Sequence, residues 1–390
     1  MRQRICIIGY SPIHRDARIL RQIEYLSPDY DLTVIAHGEP VAAFPDVTWR
    51  FVPRANRFEN LLTLVFLAAA RLLPFLYETW YWQKRRNRLA LRYAIESRPN
   101  AIHANDWSAL PAAVEAARQT EAKVVLDLHE YAPRQSSDWW WVLLFAPAIW
   151  YLLRKYAPQV DASMTVCSPI AEAYRRDFGL DPIVVMNAPR FTAVDGERHA
   201  TDGACIRLIH HGAAARQRGL EVMIDAVALA GVRFRLDFML VPTDRAYLEE
   251  LKQRARRLAP DRVHFLDPVP PTAINRTLAT YDISLTVIQP RNFNYLVALP
   301  NKFFDAVVAG LAVVIGPSPA MAELVETYGF GVVAPSFEAQ DIAATLNRLT
   351  VEQIEEMRQR ARKAAETLNA DREMTKVAAL YTRLLNQQDR

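Results

Sequence analysis

Apolar residues in this chain gather in short unbroken runs rather than in strict alternation. The first is "RICIIG", followed by runs at 32–37 ("LTVIAH"), 49–53, 101–105 ("AIHAN"), 123–129 ("KVVLDLH"), 163–168 and 183–187. A second series occupies 206–212 ("IRLIHHG"), 233–241, 263–267, 283–288, 311–316 and 331–335. Runs of this length predict strands, and the lack of alternation predicts parallel strands covered on both faces. Helical segments separate most of them. The pattern therefore predicts an α/β chain with β-α-β organisation twice over, in two doubly wound sheets.

Between the two series lies "NAPRFTAVDGERHATDGAC" (187–205), polar and containing Pro and Gly, which is the expected linker. Two open parallel sheets joined there are expected to face a central cleft, with ligands at the carboxyl ends of the strands. Polar helical segments, 351–368 and 371–387, close the chain. Two stretches break the rhythm. Residues 57–96 contain "LLTLVFLAAARLLPFLY" and then "WYWQKRRNRLALR", while 139–153 read "WWWVLLFAPAIWYLL", with Arg154 and Lys155 after them. Arg71 and Pro74 interrupt the first apolar run and Pro147 sits in the second. Neither reaches the roughly 20 residues a membrane span needs. Aromatics beside Lys and Arg suit the membrane–water interface instead. Peripheral membrane contact through 57–92 and 139–155 is expected, against the alternative of buried helices with a solvated basic face.

Composition narrows the function. A chain of 390 residues, 51% of them hydrophobic, is long enough for two or three well-packed domains. A net charge of +4 is too slight for a dedicated nucleic-acid binder, and it suits small anionic ligands or an anionic membrane face. Cys6, Cys167 and Cys205 lie far apart, so a reduced, cytoplasmic setting is expected. The opening "MRQRICIIGY" starts directly on a strand pattern, so no signal peptide is expected. No HExxH occurs, and Asp29-Tyr30-Asp31 belongs to a turn before a strand, so no metal is expected.

Candidate chemistry collects at strand ends. "ALPNKFFDAVVAGLAVVI" (298–315) predicts a helix starting at Pro300, with Lys302 and Asp305 on it and Gly310 ending it. Free amides at such a start form an anion site, to which Lys302 adds charge. Asp305 can accept hydrogen bonds from a nucleotide's ribose hydroxyls, the alternative being an acid favoured by the helix dipole. "LIHHGAAARQRGLEVMIDAV" (208–227) predicts a strand, a small-residue turn around Gly212, and a helix starting near Gly219. Arg216 and Arg218 in that turn can reach a diphosphate. In the first half three strands end in polar clusters: His14, Arg15, Asp16 and Arg18; His103, Asn105 and Asp106; Asp127, His129 and Glu130. Three such ends on one rim point to a site. Singly, Asp106 is also a candidate helix cap and His129 a candidate buried imidazole.

Together "RDARILRQIEYLS", "AIHANDWSALPAA", "VVLDLHEYAPR", "TVCSPIAEAYRRDFG", "VVMNAPR", "HHGAAARQRGLEVMIDAV" and "LPNKFFDAVVAGLAVV…MAELV" resemble the retaining family 4 glycosyltransferases of GT-B architecture. The resemblance implies two Rossmann-like domains, an acceptor domain over 1–188 and a donor domain over 204–368, with 369–390 packing back on the first. It implies a nucleotide-diphosphate sugar donor (UDP, GDP or another base), no cofactor and no metal. The acceptor hydroxyl would belong to a glycan or lipid-linked glycan, at the inner face of the cell membrane. Arg218 and Lys302, with Gly212, Arg216, Asn301 and Asp305, would hold the donor. Val269 falls where the family's backbone reads the base, and Asn294 and Tyr295 where a subgroup contacts the sugar. His129 matches the first-domain histidine that touches sugar or acceptor, and Arg15, Asp16 and Asp106 share its side. The chain departs from the family at Val297, where a glutamate is frequent, and at Ala213, where a basic residue is. Two other readings stay open: a GT-B sugar-nucleotide epimerase acting on the same ligand without an acceptor and, motivated by those departures, a non-catalytic glycosyltransferase-like binding protein.

Overall fold

The computed structural model describes residues 2–54, 57–192 and 200–386, with side chains from Thr63 onward in the helix that starts at Arg57. The chain forms two compact units, Met1–Met186 with Met374–Arg390, and Asn187–Glu373. Part of the expected linker, 193–199, and the end of the last helical segment, 387–390, lie outside the described residues.

The first unit is built on seven parallel strands, β1 (Arg4–Pro12), β2 (Asp31–His37), β3 (Thr48–Phe51), β4 (Ala101–Asn105), β5 (Lys123–Leu128), β6 (Ala162–Thr165) and β7 (Ile183–Val184). Their order is β3-β2-β1-β4-β5-β6-β7. Ile5, Ile7 and Ile8 are almost wholly buried, as an unbroken apolar run in a two-sided sheet requires. The strands expected at 49–53 and 183–187 shrink to the two sheet edges, where half of each run's neighbours are missing. The helices are α1 (Ala17–Leu26), α2 (Arg57–Ala70), α3 (Leu76–Gln83), α4 (Arg85–Glu96), α5 (Leu110–Thr120), α6 (Trp139–Tyr156) and α7 (Ser168–Phe178). The strand order reverses between β1 and β4, and the register sets Asn105 of β4 beside Asp127 of β5 at their carboxyl ends.

The second unit has six parallel strands, β8 (Ile206–Ala213), β9 (Phe234–Val241), β10 (Val263–Leu266), β11 (Ile283–Thr286), β12 (Ala312–Ile315) and β13 (Gly331–Val333), ordered β10-β9-β8-β11-β12-β13. Its helices are α8 (Glu221–Leu229), α9 (Arg245–Leu258), α10 (Ile274–Leu278), α11 (Phe293–Leu296), α12 (Asn301–Ala309), α13 (Pro319–Tyr328), α14 (Ala339–Arg348) and α15 (Val351–Ala365). The last helix, α16 (Ala370–Asn386), returns to the first unit as expected: Met374, Val377, Leu380, Tyr381 and Leu384 join the core of Ile5, Ile7 and Val34.

The two rhythm-breaking stretches fold as α2, α3, α4 and α6. No helix among the described residues is long and apolar enough to cross a membrane. Part of the aromatic–basic run at 80–88 turns inward, while Arg85 and Arg88 stay exposed. Trp80 and Tyr81 are buried, Lys84 Nζ lies 3.6 Å from the Trp80 ring centroid, and Arg86 lies 4.8 Å from that of Tyr10. Among the described residues of these two stretches, the large apolar side chains left exposed are Leu64, Val65, Leu72, Leu73 and Phe75 on and just after α2, and Trp139, Trp140, Val142 and Leu143 at the start of α6.

Candidate functional site

In the second unit the chemistry gathers where β8 ends. Gly212 takes φ = +131°, a backbone conformation that side-chain-bearing residues rarely adopt. A methyl group there would sit 3.1 Å from Lys302 Nζ and 3.2 Å from an Arg218 terminal nitrogen. Two cations therefore converge on the bare backbone of one glycine. The turn that carries Arg218 is a single 3-10 turn, Arg216–Arg218, ending at Gly219 with φ = +62°. The Gln289 amide N–H donates to the Arg218 carbonyl at 3.2 Å, fixing the turn against the start of the β11–α11 connection.

Lys302 arrives from the first turn of α12. Pro300 is the N-cap of that helix rather than its first residue, with an extended ψ of 152°. Gly310 ends the helix at φ = +74°. The Lys302 side chain is buried, and its Nζ lies 3.0 Å from His210 Nε2. Burial, and then the charge of Arg218, hold the amine well below the usual lysine range, with Asp305 opposing. Burial also lowers the Arg218 guanidinium. Among the described residues neither cation has a carboxylate within ion-pair distance. Two cations without counter-ions, beside a helix start whose first amides have no intrahelical partner, make an anion-binding arrangement.

Asp305 lies one turn along α12, beyond the first turn, so it is not the dipole-stabilised first-turn acid that the sequence also allowed. One of its oxygens, Oδ2, is 3.1 Å from His211 Nε2. Asn301 is exposed, and its side-chain carbonyl accepts from Asn187 Nδ2 at 2.8 Å. Tyr295 is half-buried within the electrostatic reach of Arg218, and Asn294 is half-buried beside it. Val269 is half-buried between β10 and the 3-10 turn Pro271–Ala273, and its backbone makes no hydrogen bond among the described residues. Val297 is buried. Arg216 departs from expectation. Its guanidinium grips Glu250 with two bonds of 2.6 and 2.7 Å and stacks over Tyr247, so a carboxylate already occupies it.

In the first unit the three polar strand ends are neighbours, on β1, β4 and β5. Their hub is Asp127, fully buried. Arg18 donates to it with Nε and Nη2 at 2.6 and 2.7 Å, and Gln22 donates at 2.7 Å. Arg18 and Gln22 sit one turn apart on the inner face of α1. Arg18 also donates to the Val185 carbonyl at 3.0 Å. Burial works against the charge on Asp127, but Arg18 and His129 outweigh it and hold the carboxyl well below its usual range.

His129 is held between acids. Its Nδ1 lies 3.3 Å from Asp106 Oδ2, its Nε2 lies 3.3 Å from Asn105 Oδ1 and 3.5 Å from Asp127 Oδ2, and its backbone N–H donates to Asp106 Oδ1. Burial disfavours the imidazolium, yet Asp106 and then Asp127 more than compensate and raise His129 to about 9. Asp106 itself adopts φ = +65°. It does not cap α5, whose N-cap is Ala109. Asp16 caps α1, accepting from the amides of Arg18 and Ile19, and also accepts from the Ser11 hydroxyl. Arg15 is exposed and its side chain makes no hydrogen bond or ion pair among the described residues. On the far side of the cluster, His103 Nδ1 lies 2.7 Å from the Tyr381 hydroxyl of α16.

Sequence reasoning missed Gln22, Tyr381, His210 and His211. The histidine pair carried a signal, two imidazoles at the end of an otherwise apolar strand just before the loop glycine. Gln22 carried a weaker one, a polar residue four positions after Arg18.

Two family models match the chain. Residues 18–188 match Glycosyltransferase Family 4, and residues 206–351 match Glycosyl transferases group 1. The chain belongs to the family 4 type of glycosyltransferases. No curated protein matches this glycosyltransferase by sequence. Solved structures share its GT-B fold at low identity. HepE from Anabaena, solved in complex with UDP, has 16% identity and a TM-score of 0.69, covering 98% of this chain and 100% of its own. Sucrose-phosphate synthase from Thermosynechococcus elongatus has 16% identity and a TM-score of 0.70, covering 99% and 100%. A glycosyltransferase from Rickettsia africae has 10% identity and a TM-score of 0.71, covering 98% and 99%.

Proposed function

We propose that this glycosyltransferase moves a hexose-type sugar from a nucleoside-diphosphate sugar to an acceptor hydroxyl with retention of configuration, in the assembly of a cell-surface glycan or glycolipid. The observation that carries the reading is the convergence of Arg218 and Lys302 on Gly212 without a counter-ion. A diphosphate supplies the missing negative charge. The HepE structures with UDP and with UDP-glucose support a donor of this class.

The chemistry follows from that charge. As the bond between the anomeric carbon and the phosphate oxygen breaks, negative charge grows on the diphosphate. Arg218, Lys302 and the first amides of α12 are already in place to stabilise it, so little reorganisation is needed. Front-side attack, with the departing phosphate oxygen taking the acceptor's proton, gives retention. Asp305, with one oxygen turned to His211, keeps the other for a ribose hydroxyl. His129 stays an imidazolium near neutral pH, so its part is to orient the acceptor side with Asp106, not to remove a proton.

A lipid-linked acceptor at a membrane surface fits the apolar side chains exposed on α2 and α6. The deciding experiment is a thermal-shift panel of nucleoside-diphosphate sugars. A ligand present at one hundred times its dissociation constant adds about 2.7 kcal/mol of stability. Arg218→Ala and Lys302→Met should each erase that shift. If every nucleotide sugar leaves the melting temperature unchanged, the reading is wrong. Donor turnover without an acceptor would favour the epimerase reading.

A further inference from the structure

His210 and His211 end β8 directly before Gly212, and the diphosphate reading leaves His210 without a task. It is buried, edge-on to Phe238 at 5.8 Å. Its Nδ1 lies 2.8 Å from the Leu285 carbonyl oxygen. A carbonyl only accepts, so Nδ1 carries the proton and Nε2 presents a lone pair. That lone pair faces Lys302 Nζ at 3.0 Å. Burial, then the charge of Lys302, keep this imidazole neutral, so the acceptor persists.

The surroundings of Lys302 are otherwise poor in acceptors. Arg218, from the loop after β8, is a second cation. Asp305, three residues on along the same helix, is the one carboxylate whose charge it feels, and His211 already binds that carboxylate. Helices α10 and α15 and strands β11 and β12 also pack on α12, and none adds a charge that Lys302 feels. His210 is therefore what holds the end of a long flexible side chain against Gly212. An ammonium has three N–H groups: one goes to His210 and two remain for phosphate oxygens.

We infer that His210 is a positioning residue for Lys302, aiming its nitrogen at the diphosphate and holding it ready to gain a proton when that anion binds. This rests on the reading of Arg218 and Lys302 as the diphosphate site. Binding of the leaving group is then coupled to proton uptake, and its release to proton loss.

The test is titration calorimetry of the full chain with inorganic pyrophosphate, UDP and GDP, at mildly alkaline pH in two buffers of different ionisation enthalpy. The wild type should bind at least one of these ligands and take up about half a proton or more per site. His210→Gln, whose amide can donate to Leu285 and accept from Lys302, should bind within about threefold of the wild type. His210→Leu should bind at least about tenfold more weakly while keeping its melting temperature within a few degrees, and Lys302→Met should take up no proton. If His210→Leu unfolds, His210→Gln and Lys302→Met still decide the matter. Unchanged affinity in His210→Leu, weak binding in His210→Gln, or equal heats in both buffers for the wild type overturns the inference and leaves the diphosphate site standing. Failure of all three ligands to bind the wild type overturns both.

Discussion

Asp127→Asn tests the buried hub of the first unit. The substitution keeps the shape and removes the charge. Asp127 now accepts three bonds of 2.6, 2.7 and 2.7 Å, two of them from the Arg18 guanidinium. An asparagine retains one acceptor oxygen and turns an NH2 toward a donor that it cannot satisfy. Arg18, buried, is left without its counter-charge, and the other carboxylates that influence it, Asp106 and Asp16, are bonded elsewhere. Breaking a buried ion pair from one side costs about 3–5 kcal/mol, a large part of the roughly 5–15 kcal/mol that holds a typical domain together. All eight tryptophans lie between Trp49 and Trp150, so denaturation followed by tryptophan fluorescence reports on this unit alone. The partner experiment is Arg18→Met with Asp127→Asn. It should cost less than the sum of the two single changes, because the stranded charge is gone. A loss below about 1 kcal/mol in Asp127→Asn, or strict additivity in the double variant, would show that the hub is not an energetic centre.

Two further outcomes are expected. His129 is raised from about 6.5 to about 9, so its ion pairing stabilises the first unit fully below pH 6.5 and is lost as pH rises through 9. The unfolding free energy of the wild type, followed by fluorescence, should therefore fall across that window by about 3 kcal/mol, and in His129→Gln that part of the slope should vanish; parallel curves would refute the assignment. The exposed apolar side chains of α2 and α6 should hold the protein to vesicles containing anionic lipid at low salt. Leu72→Ser with Trp139→Ser should weaken co-sedimentation several-fold, and an equal bound fraction for both proteins would remove the membrane reading.

What was legible in the sequence divides along a physical line. Unbroken apolar runs wrote the two parallel sheets, because a strand covered on both faces has no polar positions to spare, whereas strand ends were less legible: β1 runs on to Pro12, and β6, β7, β11 and β13 stop short of the apolar runs that announce them. Gly212, Arg218 and Lys302 were legible because a bare glycine, a turn and a helix start constrain residue type locally. The partners of those residues were not. Lys302 needs an acceptor in a buried place, but nothing near it in the chain says that the acceptor comes from His210, ninety-two positions earlier. Arg216 and Arg218 look alike in the string "ARQRG", and only the position of Glu250 on α9 separates a structural arginine from a free one. The same holds at 80–88, where nothing in the string says that Trp80 is buried with the half-buried Lys84 ammonium over its ring. Local chemistry can name the groups that must find a counter-charge or an acceptor, whereas the pairing itself is set by strand order. Asn105 and Asp127 lie side by side because β4 and β5 are adjacent, and His129 is charged because of that adjacency. The fold thus treats charge in two ways: around Asp127 it pairs the groups with one another, and at Arg218 and Lys302 it brings two basic side chains together with no carboxylate at ion-pair distance among the described residues.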